Sequence, residues 1–418
     1  MQKLSIMNGE KIKTFSEYKK AFINRASLID RVKPYMGKDI IKVFTGQRRV
    51  GKSYLIFQVG ELILANKPQT NIIYINMELA EFDFIRNHSD LLAYVETRVT
   101  GKNDCLFVDE IQDIDQFEKA LRSLLARGGI DIYVTGSNAE LLSGDIAGYL
   151  SGRSIEIEVY SLSYPEFLLF HQLNETGESF LKYLRYGGLP YLIHLSLEDA
   201  IIFDYLKNIY ASILYKDVVN RYNVRNMRFL EQLVKFLADN TGRLFSAKRI
   251  SDYLKSQHIN ISVQVVLNYL DFLVKSYMLF KIGRSDLKGR KLFETGEKYY
   301  FEDVGLRNAI IGFRQADIAQ ILENIVFKHL LIMGYSVTVG SYDAYEVDFV
   351  AEKPNEKKYI QVTYTMKDEK TILRETETLL RIKDNYPKYI ISMDELPVSN
   401  IEGIIQMNIR TFLLAEKF

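Results

Sequence analysis

Between residues 38 and 160, short runs of β-branched and aromatic residues alternate with longer stretches whose apolar positions recur at helical spacing. The runs fall at 40–44, 71–76, 105–108, 131–135 and 155–159, and the helical stretches at 53–65, 89–100 and 116–127. Strand followed by helix in this way predicts an α/β fold, a parallel sheet covered on both faces. From 164 to 240 the texture changes to helix after helix, broken at Tyr186-Gly187-Gly188-Leu189-Pro190. Residues 245–302 predict two short helices and a hairpin. Beyond 305, a long helix at 321–333, strands near 335–339, 346–351 and 359–363, and further helix and strand predict a second α/β unit.

A chain of 418 residues is too long for one ordinary core, so several domains are expected. The pattern places their boundaries at 1–162, 163–240, 241–304 and 305–418. A formal net charge of +1 supplies no global field toward nucleic acid or an anionic membrane, so any such binding has to come from a local patch. The single cysteine, Cys105, sits in an apolar run, which excludes a disulfide framework and suits a reducing compartment. No apolar stretch approaches the roughly 20 residues of a membrane span, and a cytoplasmic protein without a membrane partner is expected. Scattered histidines and a lone cysteine exclude a zinc cluster.

The chemistry concentrates where strands end. Gly46-Gln47-Arg48-Arg49-Val50-Gly51-Lys52-Ser53 spaces glycine, four residues, glycine, lysine and serine after an apolar strand and ahead of a helix that continues with Tyr54. Glycines let successive backbone N–H groups face one anion at the positive end of a helix. Lys52 is placed for the β- and γ-phosphates of ATP and Ser53 for Mg²⁺; Arg48 and Arg49 are read as structural or solvated. The run Cys105-Leu106-Phe107-Val108-Asp109-Glu110 ends a strand in two carboxylates. Asp109 then serves the metal shell, and Glu110 orients and deprotonates the attacking water. At the end of a third strand, Thr135-Gly136-Ser137-Asn138 offers Ser137 or Asn138 to bridge water and γ-phosphate. Asn138 is preferred, with capping of the helix after Ala139 as the alternative. Arg153, just before the fifth strand, is a candidate for neutralising transition-state charge, on its own subunit or on a neighbouring copy.

Residues 41–170 resemble the AAA-type ATPases of bacterial and archaeal genomes, in the additional-strand branch of P-loop NTPases. The resemblance implies a sheet order of 5-1-4-3-2 and Glu110 as catalytic base. Tyr186–Pro190 and Lys298-Tyr299-Tyr300-Phe301-Glu302-Asp303-Val304-Gly305-Leu306-Arg307 match recurring signatures of the same family, which extends the resemblance over nearly the whole chain.

Two short helices and a basic hairpin at 246–300 have the plan of a winged helix. Seven basic residues stand against three acidic ones between 275 and 298, enough for a few phosphate contacts with DNA. The outward face of the second helix, with Ser262, Gln264, Asn268 and Asp271, is poor in arginine and lysine, so packing against protein stands as an equal alternative. The tail resembles the PD-(D/E)xK nuclease core, the restriction-endonuclease-like α/β fold, which implies Mg²⁺ held by Glu323 and Asp348 and a lysine acting on phosphodiesters. Where that pattern has Glu-x-Lys, this chain has Gln361-Val362-Thr363. Glutamine removes a charge from a hard-cation site and threonine supplies no ammonium, leaving Lys357, Lys358 or Lys367 to reach in. An inactive tail is expected.

Function then reads as an ATP-driven switch with ATP, ADP and Mg²⁺ as ligands. The residues leave open a protein partner, a homo-oligomer and DNA. The alternative is a nucleic-acid-processing or defence enzyme whose tail nuclease is licensed by ATP.

Overall fold

The computed structural model describes residues 15–18, 22–101, 103–139, 150, 152–289, 296–343, 345–395, 398–415 and 417–418. They fall into two compact units, one of residues 1–46 and 51–159, the other of 47–50 and 160–418. The helix expected after Ala139, and Arg290 and Lys291 of the basic hairpin, lie outside the described residues.

The first unit opens with two short helices, α1 (Phe15–Tyr18) and α2 (Ala26–Val32). Then come β1 (Ile41–Thr45), α3 (Lys52–Asn66), β2 (Asn71–Asn76), α4 (His88–Glu96), β3 (Asp104–Asp109), α5 (Phe117–Arg127), β4 (Ile130–Gly136) and β5 (Ser154–Glu158). All pairings are parallel, in the order β2-β3-β4-β1-β5. Read from the other edge this is 5-1-4-3-2, as expected. Along β3 every residue is buried, because the strand's alternating sides meet two different cores. Leu106 and Val108 join Val43, Ile75, Ile132 and Val134 under the helices at Leu91, Leu121 and Leu124. Phe107 stacks between Phe15 and Tyr133 on the opposite face. Each such side chain contributes roughly 1.5–3 kcal/mol by leaving water, so the sheet is a rigid platform for whatever its strand ends carry.

In the second unit, α6 (Tyr164–His171), α7 (Gly177–Tyr186) and α8 (Asp199–Ser212) lead into a π-helical stretch, Ile213–Asn220, and α9 (Met227–Asp239). Helices α10 (Ala247–Ser256) and α11 (Val263–Lys275) precede β6 (Leu279–Asp286) and β7 (Glu297–Phe301). In α11, capped by Ser262, the buried Val266, Tyr269, Leu270 and Leu273 keep the spacing of one helical face. Next come α12 (Val304–Ile311), α13 (Ile318–Ile332), β8 (Ser336–Tyr342), β9 (Tyr345–Lys353) and β10 (Glu356–Val362). The unit closes with α14 (Glu369–Arg381), β11 (Lys388–Ser392), β12 (Ser399–Ile401), β13 (Ile404–Asn408) and α15 (Ile409–Leu414). Because β6 pairs antiparallel with β7 and parallel with β8, hairpin and tail share one eight-stranded sheet, β12-β13-β11-β10-β9-β8-β6-β7.

The two later signatures meet in a single buried junction of this unit. Asp303 accepts from the Gly188 N–H at 2.7 Å and caps α12 at Leu306. Asn308 donates to the carbonyls of Leu184 and Arg185, both at 2.9 Å. A Cβ at Gly305 would stand 2.0 Å from the Tyr186 carbonyl oxygen, and one at Gly187 2.1 Å from Asp303. Glycine at these positions is a packing requirement. Arg307, itself fully buried, spends its donors on the Ala238 carbonyl, Asn308 and Asp317. Among the described residues no helix is long and apolar enough to cross a membrane.

Candidate phosphate-binding site

Strand β1 ends at Thr45, and the backbone then turns through Gly46 at φ 140° and Gly51 at φ 100° before α3 begins. A Cβ on Gly46 would lie 2.2 Å from the Val159 carbonyl oxygen, so this turn admits only glycine. Lys52, almost wholly buried, donates to the Gly46 carbonyl at 2.9 Å, folding its ammonium back across the loop. Residues 47–50 cluster with the second unit. There Arg48 makes a bidentate pair with Asp217 on the π-helical stretch, at 2.9 and 3.0 Å, with both side chains buried. Arg48 is thus a structural residue of the loop. Arg49 takes a left-handed φ of 74°.

The two carboxylates follow from the end of β3. Asp109 is buried and accepts from Thr135 Oγ1 at 2.5 Å and from the Ser53 hydroxyl. Burial, reinforced by the neighbouring Glu110 charge, pushes its pKa up to about 6. Glu110 sits at φ 57°, a left-handed conformation uncommon for glutamate. Its N–H donates to Thr135 Oγ1 at 2.9 Å, while its carboxylate accepts from Ser137 Oγ at 3.1 Å and from the Gln112 amide. Of the two candidates after β4, Ser137 is bonded to Glu110, and Asn138 is the next residue, also buried. Thr135 and Gln112, which hold the two carboxylates, are not singled out by the sequence pattern. Thr135 stands at the strand end beside the two carboxylates, and that position was the signal available for it.

Arg153 is not brought to this site. Ser154 pairs with Ile41 at the start of β1, whereas the loop follows Thr45. Four residues at ~3.3 Å each place about 13 Å of strand between them, more than an arginine spans. Action of Arg153 on its own chain's nucleotide is therefore corrected. A cavity of about 430 Å³, lined by Gly37, Asp39, Asn66, Lys67, Asp104 and Cys105 among others, also lies at that amino edge.

In the tail, Glu323 on α13 and Asp348 on β9 come together with Glu346. The ammonium of Lys298, from β7, stands among them at 2.8 Å from Glu323, 2.8 Å from Glu346 and 3.6 Å from Asp348. Gln361 accepts from the Asp348 N–H at 3.2 Å, the Val362 N–H donates to Asp348 at 2.9 Å, and Thr363 is buried. Lys357 and Lys358 pair instead with Glu352 and Glu356, and Lys367 is exposed. Burial pulls the Lys298 pKa down, but the three carboxylates outweigh it and the net shift is upward. Asp348 is raised, by burial first and then by Glu323.

A parallel sheet in this order, with a glycine-bounded loop after β1 and paired carboxylates at the end of β3, defines a P-loop NTPase fold. Residues 38–168 match the family described as AAA domain, and residues 177–317 match one described as Domain of unknown function (DUF8612). A Haemophilus influenzae protein carrying the name Uncharacterized protein is 35% identical over 406 residues, covering 94% of this chain and 99% of its own. Uncharacterized protein MJ1544 of Methanocaldococcus jannaschii is 33% identical over 346 residues, 78% of this chain and 75% of that one. The chain belongs to the family of these two proteins. Among solved structures it is similar to the Walker-type ATPase PABY2304 of Pyrococcus abyssi, at 15% identity and a TM-score of 0.48, covering 69% of this chain and 96% of that chain.

Proposed function

We propose that this protein binds Mg-ATP at residues 46–53 and hydrolyses it, with Glu110 as the base, and uses the cycle as a switch acting on its second unit. The observation that carries this reading is that Asp109, at the end of β3, accepts from the Ser53 hydroxyl and feels the charges of Lys52 and Glu110. Ser53 Oγ and the Asp109 carboxylate are hard oxygen donors already in contact, a set that suits Mg²⁺. Bound there, the ion would neutralise charge building on the phosphates. The backbone of the loop and Lys52 bind the triphosphate, with Lys52 exchanging the Gly46 carbonyl for phosphate oxygens. Glu110, held by Ser137 and Gln112, orients a water and accepts its proton.

The bidentate pair of Arg48 with Asp217 ties loop residue 48 to the π-helical stretch and supports coupling. A loop that shifts on gaining phosphates pulls on Arg48 and, through it, on Asp217 and the π-helical stretch. Short π segments recur at functional sites.

Residues 246–301 are proposed as a winged helix whose role is packing against protein. The five described basic residues of the 275–298 stretch already face partners within the unit. Lys275 pairs with Asp271, Lys281 with Glu297, Lys288 with Asp343 and Lys298 with the tail carboxylates, while Arg284 donates to Ser341. Among the described residues of the stretch, the four lysines are thus ion-paired within the unit and less available to DNA phosphates. The test of the nucleotide site is Lys52→Ala, measured by titration with Mg-ATP. Affinity is expected to vanish; affinity intact in the variant would refute the assignment.

A further inference from the structure

Three carboxylates, Glu323, Glu346 and Asp348, crowd into a largely buried corner of the second unit. Such a corner is unstable without a cation, because buried like charges gain nothing from water. Two kinds of cation fill it in principle, a divalent metal recruited from solution or an ammonium built into the chain. The residues show which one this protein has. Lys298 is 3% exposed and lies within hydrogen-bond distance of Glu323 and Glu346 together. Its stem leaves β7, and β7 is fixed in place. Tyr300 donates to Glu323 at 2.5 Å, and the Asn324 side chain bonds both the N–H and the carbonyl of Phe301, at 2.9 and 2.7 Å. The ammonium therefore sits on an anchored strand and is not a mobile arm that swings aside.

A metal at this position would need the oxygens that Lys298 already holds. Two further groups are turned away from metal chemistry. Gln361 uses its oxygen on the Asp348 backbone, and Asp348 spends one oxygen on the Val362 N–H. With Lys298 in place, no group of three acidic, histidine or cysteine side chains among the described residues is arranged to hold a metal ion.

We propose that Lys298 is the resident cation of this cluster, standing where a divalent metal would otherwise be recruited, so that the tail does not cleave phosphodiesters and its carboxylates fasten β7 to α13 and β9. The nuclease-like arrangement is kept as a clamp. The clamp joins the hairpin that follows α10 and α11 to the tail, adding a charged lock to the sheet that the pairing of β6 with β8 makes continuous.

The test is Mn²⁺ binding to the full chain, followed by electron paramagnetic resonance, with Asp348→Asn marking the tail's share of the signal. In the presence of Lys298, Asp348→Asn is expected to leave Mn²⁺ binding unchanged, and no cleavage of single- or double-stranded DNA with Mn²⁺ and ATP is expected. Lys298→Met frees three carboxylates and should create a site at least roughly tenfold tighter than any tail binding in the unmodified protein, as removal of a like charge from a cation site requires; adding Asp348→Asn should erase it. Metal binding or DNA cleavage that falls with Asp348→Asn while Lys298 is in place would overturn the proposal. So would a folded Lys298→Met protein that gains no Asp348-dependent site. If Lys298→Met does not fold, the comparison between the unmodified protein and Asp348→Asn still decides, because it requires no change at Lys298.

Discussion

Asp109→Asn should make the nucleotide-free protein more stable at neutral pH, although it damages the site. The carboxyl titrates at about 6 in the fold against an ordinary 3.8. The folded state therefore holds the proton more tightly than the unfolded chain, and ionisation opposes folding. The rise from 3.8 to about 6 corresponds to roughly 3 kcal/mol, fully felt above about pH 6 and absent below about pH 4. Asparagine keeps an oxygen for Thr135 and Ser53, so the neutral isostere removes the penalty with little loss of bonding. Urea denaturation without nucleotide, followed by circular dichroism, should show a gain approaching ~3 kcal/mol near pH 7.5 that shrinks to about 1 kcal/mol near pH 4.5. Mg-ATP should stabilise the unmodified protein and do much less for the variant. A variant less stable than the unmodified protein near pH 7.5, or a gain independent of pH, would refute the reasoning. On the proposed reading, two neighbouring buried carboxylates are held for a cation at the expense of stability.

Other residues give sharper local tests. Arg48→Met takes the bidentate partner from the buried Asp217 carboxylate and should cost about 3–5 kcal/mol, whereas adding Asp217→Leu should recover part of the loss; additive losses in a denaturation cycle would show that the pair is not coupled. Gly305→Ala forces a methyl onto the Tyr186 carbonyl, and a loss of at least ~1–3 kcal/mol is expected; a thermal melt like that of the unmodified protein would contradict the junction described for Gly187, Asp303 and Gly305.

What the amino-acid order revealed and what it hid have a common physical cause. The alternation from 40 to 159 was legible because strands buried on both faces are nearly all apolar, and the loop was legible because its chemistry needs glycine and lysine at fixed local spacing. The sheet order came from resemblance and agrees with the pairing of β1 between β4 and β5. Contacts distant in sequence were not legible. Arg48 meets Asp217 across 169 positions, and nothing in the texture around either residue announces the other. Lys298 belongs by sequence to a basic hairpin and by position to the carboxylates of the tail, so a count of charges along 275–298 includes it among possible DNA contacts and does not reveal its partners. Arg153 shows the converse error. It precedes a strand of the right sheet, but a residue that precedes a parallel strand lies at the edge opposite to a loop that follows one.

The central claim is that Glu110 drives hydrolysis of a nucleotide gripped by Lys52, and single-turnover release of phosphate from Mg-ATP tests it most directly. Glu110→Gln should bind Mg-ATP as well as the unmodified protein while releasing phosphate at least ~10²-fold more slowly. Release at an unchanged rate in the variant, or none in the unmodified protein, would contradict the account.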